Sequence, residues 1–177
     1  MPAFRVYQTL TLLKEFIAIV LVCVTMVTNH WIERSHISPA LIGIFETSTK
    51  KAVVSTADFY SPDNGFVYAT ISLMCIGLGA LSIAFLFNIY LQWKLKGPLL
   101  LLIPFLTFLA GVLICIAVGV FLDIGSGVLY DDIGYSGYIA IFAGMLPISA
   151  SASFVRSFCK GEFDDTFDRH EDTASPL

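Results

Sequence analysis

The hydrophobic stretches of this 177-residue chain carry very little charge: only 14% of its residues are Asp, Glu, Lys or Arg, while 56% are hydrophobic. Soluble domains carry roughly 25% charged residues, so such a chain cannot cover itself in polar surface. An ordinary soluble domain is excluded. The apolar residues also come in uninterrupted blocks, which require lipid as solvent and not only a protein core.

Other absences narrow the function. No basic patch with aromatic spacing is present, so nucleic acid is not an expected partner. The four cysteines, Cys23, Cys75, Cys115 and Cys159, all fall outside the stretches expected to face the cell exterior, and no structural disulfide is predicted. Three of them lie in apolar blocks and read as buried small hydrophobes; their spacing is not that of a zinc site. His30, His36 and His170 have no partners at ligand spacing, so no metal is expected. There is no nucleophile elbow, phosphate loop or paired carboxylate within a block. Catalytic residues and cofactors are therefore expected to be absent, and the chain reads as something other than an enzyme. It also has no Asn-x-Ser/Thr sequon, which predicts the absence of N-glycans.

Four blocks remain, at about 10–32, 65–93, 97–122 and 133–155. Each reaches the roughly 20 residues that cross about 30 Å of hydrocarbon, and backbone groups in lipid must bond within their own segment. The expected fold is an all-α membrane protein, a four-transmembrane-helix bundle spanning 1–160 with a polar tail at 161–177. A cleaved signal peptide is the rival reading of the first block, with Arg5 and Lys14 ahead of an apolar core. It would leave an odd number of spans, and no small-x-small cleavage site follows.

Orientation follows from the basic residues of the connections. Arg5, Lys14, Lys94, Lys96, Arg156, Lys160 and Arg169 fall on one side, against Arg34, Lys50 and Lys51 on the other. Both termini are thus expected in the cytoplasm of a multi-pass plasma-membrane protein, with outer loops at about 33–64 and 123–132. In the first loop, 40–47 and 51–56 are rich in Ile, Phe, Val and Thr around Ser48-Thr49-Lys50, predicting an extracellular β-hairpin or small sheet. A hairpin alone is marginal in water, so it should pack on the helix ends or pair with another strand. The acidic tail is expected to be disordered.

Polar residues inside the blocks are few. Lys14 and Glu15 lie near the inner end of the first block and read as anchors reaching the interface. Asp131 and Asp132 read as a solvated turn. Small residues mark packing faces: Gly111, Cys115 and Gly119 recur every four residues in the third block, and Ala140 and Gly144 do the same in the fourth. Trp31 and Trp93 are expected at opposite interfaces as parts of an aromatic belt, with Tyr135 and Tyr138 on the outer side. Pro104 and Pro147 are positioned to kink their helices. Cys159 directly follows the last block and is a candidate for palmitoylation. The C-terminal Ser175-Pro176-Leu177 has the form of a PDZ ligand, in which a nest of backbone amides holds the terminal carboxylate.

This layout resembles the claudin, peripheral myelin protein and calcium-channel gamma-subunit tetraspan superfamily. The resemblance covers about 6–159, with Thr28-Asn29-His30-Trp31 similar to the segment that ends the family's first helix. Gly43-Ile44-Phe45 stands where the family has Gly-Leu-Trp, and Gly134-Tyr135-Ser136-Gly137-Tyr138 looks like the start of its last helix. The chain departs in lacking the cysteine pair that follows Gly-Leu-Trp. If its sheet is the family's, packing or a partner must replace about 2 to 4 kcal/mol of covalent restraint. The resemblance implies a claudin-like protein of cell contact or junction organisation, in which Trp31, Gly43, Ile44 and Phe45 shape the outer sheet. Its partners would be the lipid bilayer, membrane proteins in cis or trans, and a PDZ scaffold. The alternative is an auxiliary subunit modulating the trafficking or gating of an ion channel or receptor, packed through its small-residue faces. A small membrane enzyme or transporter is a third and less supported reading, because uncharged spans lack the buried carboxylates of ion-coupled transport.

Overall fold

The computed structural model describes residues 2–28, 30–34, 40–49, 53–60, 62, 64–93, 99–125 and 131–159. Four long helices dominate: α1 (Pro2–Val27), α3 (Gly65–Trp93), α4 (Leu99–Gly125) and α5 (Tyr135–Cys159). Each holds a segment long and apolar enough to cross a membrane, namely Gln8–Val27, Gly65–Leu91, Leu101–Ile124 and Tyr135–Ser157. Their outward faces are apolar too. Leu13, Phe16 and Val20 on α1, Leu86 on α3, Phe105 on α4 and Phe142 on α5 are all exposed.

α1 lies mainly against α5 and more lightly against α3, while α4 sits between α3 and α5. Successive helices run in opposite directions, so the first residues of α1 and the last of α5 share one end of the bundle. At the other end lie five short strands, β1 (Ile32–Arg34), β2 (Ala40–Ile42), β3 (Glu46–Thr49), β4 (Val53–Ser55) and β5 (Asp131–Ile133), and the single-turn helix α2 (Thr56–Phe59). They form one sheet in the order β4-β3-β2-β1-β5, antiparallel throughout.

Of the two forms expected, a hairpin or a small sheet, the strands form the sheet. The stretch 40–47 is not one strand but parts of two, reversing at Gly43-Ile44-Phe45, where the Gly43 amide donates to the Glu46 carbonyl at 2.9 Å. The second loop supplies β5, a further strand of the kind that a marginal hairpin was expected to pair with, and Ile133 pairs with Ile32. A two-stranded hairpin leaves most of its edge groups unsatisfied; extra strands on both sides meet that demand.

The first helix also differs from expectation. It ends at Val27 instead of continuing to Ile32, because Trp31 and Ile32 serve the sheet. Trp31, Ile32, Ile42 and Ile44 are fully buried and join Val22, Met74, Ile114, Phe121 and Ala140 in one core. The sheet thus closes the bundle end by inserting its apolar face between the helices.

Candidate functional site

Two regions unite residues distant in sequence, a junction where sheet meets bundle and a polar cluster in its far half. At the junction, the Trp31 indole Nε1 donates to the Thr25 carbonyl at 2.6 Å. That carbonyl belongs to the last turn of α1, where helix carbonyls lack an intrahelical amide partner, and it also accepts from the Thr28 hydroxyl at 3.2 Å. The Trp31 backbone amide donates to the Ile42 carbonyl, and its own carbonyl accepts from the Gly134 amide, both at 2.9 Å. The carbonyl of His30 accepts from the Ser136 amide in the first turn of α5 at 3.1 Å. A Cβ on Gly134 would collide with that His30 carbonyl. The segment 30–31 therefore ties α1, β2 and α5 together. Trp31 is not an interfacial belt residue as expected; its ring is buried and meets Phe121 edge-on at 5.4 Å. The side chain of Trp93 lies outside the described residues.

The turn at Gly43, Ile44 and Phe45 is fastened by Thr56, a residue the sequence reading did not single out. Its hydroxyl donates to the Gly43 carbonyl at 2.8 Å and lies 3.0 Å from the Thr47 hydroxyl. Its backbone amide donates to Phe45. Ile44 consequently points into the core while Phe45 is exposed at 43%. Phe45, Val53 and Val54 leave apolar groups on the outer part of the sheet.

In the opposite half, Glu15 corrects the anchor reading. It is fully buried, with its carboxyl accepting from the Asn88 side-chain amide at 3.1 Å and from the Thr107 hydroxyl at 2.8 Å. Gln8 donates in turn to the Asn88 side-chain oxygen at 3.4 Å and backbone carbonyl at 3.3 Å. Three helices are linked through one carboxyl group. Helix periodicity explains the correction: adjacent residues are about 100° apart, so Lys14 and Glu15 cannot share a face. Lys14 turns instead to α5 and donates to the Ser153 hydroxyl at 3.3 Å. A second link, from the Ser151 hydroxyl to the Pro104 carbonyl at 2.8 Å, joins α5 to α4. The cluster is rich in neutral donors and holds one carboxyl. Among the described residues no group of three His, Cys, Asp or Glu could hold a metal ion.

Of the predicted packing residues, Gly111, Cys115 and Gly144 meet where α4 crosses α5. A Cβ on Gly111 would lie 2.8 Å from the Gly144 carbonyl oxygen, and one on Gly144 would lie 2.6 Å from the Cys115 sulfur. Ala140 is buried in the core. Gly119 is not in this contact: it faces outward with nothing around it. Each four-residue step rotates about 40° round the helix, so eight residues carry Gly119 about 80° away from Gly111. Gly77, overlooked in the sequence, makes the corresponding close approach between α3 and α4, facing Ile114 and the Ala110 carbonyl.

Cys23 and Cys75 are exposed on their helices and Cys115 is partly buried, which corrects the expectation of buried thiols. Cys159 is exposed at the end of α5. The side chains of Asp131 and Asp132, and Ser175, Pro176 and Leu177 with the whole tail 161–177, lie outside the described residues. In comparisons with known proteins, no family model matches the chain and no curated protein matches it.

Proposed function

We propose that the chain is a four-span plasma-membrane protein of claudin-like layout, with its sheet outside the cell and both termini in the cytoplasm, that organises cell–cell contacts through protein–protein binding rather than catalysis. The observation that carries this reading is the sheet assembled from both connecting loops at one bundle end, anchored by Trp31 yet exposing Phe45, Val53 and Val54. A rigidly seated platform with outward apolar side chains suits recognition of another protein. The apolar outer faces of the helices support insertion in lipid, and the Lys and Arg bias supports the orientation. In this scheme Cys159 faces the cytoplasm as a palmitoylation candidate, and Ser175, Pro176 and Leu177 bind a PDZ scaffold.

The test is localisation of the tagged chain in contacting cells, beside a Phe45→Ser, Val53→Ser double variant. The native chain should concentrate at borders between two expressing cells, and the variant should reach the surface without concentrating there. A native chain spread evenly over the surface would overturn the contact role.

The auxiliary-subunit reading is favoured by one separate observation. Gly79 on α3 and Gly119 on α4 face outward with no neighbour within 4 Å, leaving room for the close approach of another helix. Co-purification of a channel or receptor in mild detergent, abolished by Gly119→Leu, would support it; retention by the variant would count against this face.

A further inference from the structure

Lys14 and Glu15 are consecutive, yet α1 directs their side chains to different neighbours. Glu15 is committed to Asn88 and Thr107, so the lysine does not share its carboxyl. Among the described residues Lys14 pairs only with the neutral hydroxyl of Ser153, 3.3 Å away, and with no carboxylate. An ammonium within an apolar segment normally finds an anion or marks a site.

The antiparallel packing of α1 and α5 brings a second cation to the same seam. Arg156 follows Ser153 by one helical turn, about 4.5 Å nearer the end of α5 and about 60° round the helix. It is exposed. Helical side chains lean toward their own N-terminus. On α1 that direction carries Lys14 toward the bundle end bearing both termini. On α5 it carries Arg156 back toward Lys14. Both side chains can therefore reach a group lying on the outer side of the contact between α1 and α5.

We propose that this seam holds the phosphate of an anionic phospholipid headgroup, with Lys14 and Arg156 supplying the charge, while the Ser153 hydroxyl, which donates to the Ser149 carbonyl at 2.8 Å, positions Lys14 by accepting from it. A lipid is the fitting occupant because the seam opens on the outer, apolar side of the bundle: the acyl chains would run toward the middle of the bundle along exposed residues such as Ile17 and Phe142. Basic pockets between membrane helices are suited to such headgroups. The inference rests on the membrane reading above.

The test uses the full chain in nanodiscs of phosphatidylcholine with a minority of phosphatidylserine, followed by native mass spectrometry of retained lipid. Native protein should retain phosphatidylserine in preference to phosphatidylcholine. Lys14→Gln or Arg156→Gln should lower that preference about fivefold and the double variant about 30-fold. A Lys94→Gln, Lys96→Gln control, in the connection between α3 and α4, should leave it unchanged. Arg156→Gln alters an exposed side chain, so its folding is not at issue. Equal retention by the double variant, loss of preference in the control, or no preference in the native chain would overturn the proposal. Both leaflets carry the lipid, so the assay is blind to orientation. Its failure counts against the seam, whereas wrong-sided cysteine labelling counts against the topology.

Discussion

The Trp31 indole and the Thr25 carbonyl, joined across 2.6 Å, are the hinge pin between helix and sheet. The same tryptophan terminates α1, begins the sheet and fills the core, so its replacements separate those roles. Trp31→Ala removes a fully buried aromatic and should destabilise by about 3 to 5 kcal/mol. Trp31→Phe keeps much of the ring but leaves the Thr25 carbonyl with only the Thr28 hydroxyl at 3.2 Å, at a cost of about 0.5 to 1.5 kcal/mol. Thermal unfolding in mild detergent should rank native above Trp31→Phe above Trp31→Ala. Equal midpoints for native and Trp31→Phe would show that the hydrogen bond is dispensable.

Gly111 and Gly119 carry the same residue eight positions apart on α4 and should respond oppositely to alanine. At Gly111 the added Cβ meets backbone, the Gly144 carbonyl oxygen at 2.8 Å, which cannot rotate away as a side chain can. Overpacking of this kind costs about 1 to 3 kcal/mol. At Gly119 the Cβ enters open space, and alanine's better helix propensity adds up to about 1 kcal/mol of stability. Gly111→Ala should lower the unfolding midpoint while Gly119→Ala keeps or raises it. A loss of equal size at both positions would place Gly119 within the packed bundle.

These contrasts explain what was legible in the sequence. The long helices were readable because uninterrupted apolar blocks need no tertiary information. The short strands were harder: Ile32–Arg34 and Asp131–Ile133 pair with each other, and nothing local at Asp131 announces it. Trp31 looked like a belt residue because its position in the chain is interfacial; its burial depends on Phe121 and Ile44, both far away in sequence. Glu15 looked like an anchor for a similar reason. Its donors, Asn88 and Thr107, lie on two other helices and become visible as partners only when those helices are packed.

The Glu15 cluster makes a further prediction about chemistry versus charge. Glu15→Gln keeps the size and polarity of the side chain: its carbonyl can accept from the Asn88 amide while its own amide donates to the Thr107 hydroxyl, which can turn to a backbone carbonyl of its own helix. It should change stability by less than about 1 kcal/mol. Glu15→Leu instead strands the Asn88 amide and Thr107 hydroxyl in a buried setting, costing about 1 to 3 kcal/mol for each unsatisfied group. Adding Thr107→Val to Glu15→Leu should then restore part of the loss, because one stranded hydroxyl disappears. Unfolding of the three variants in the same detergent reads the outcome; additive losses for the double variant would show that the two residues are not coupled.

The native cysteines allow the topology to be read with little alteration. Cys23 and Cys75 lie within segments apolar enough to cross a membrane and are exposed on helix faces, so in a bilayer they should resist a charged maleimide through lack of water at that depth. Cys159, at the end of α5, should react only after cells are permeabilised, and a hydroxylamine step should increase its labelling if it is acylated. A cysteine introduced as Ser55→Cys, on the exposed edge strand β4, should react in intact cells. Labelling of Ser55→Cys only after permeabilisation, with Cys159 accessible from outside, would invert the orientation. Such a result would move the sheet to the cytoplasm and remove the physical basis for a cell-contact role.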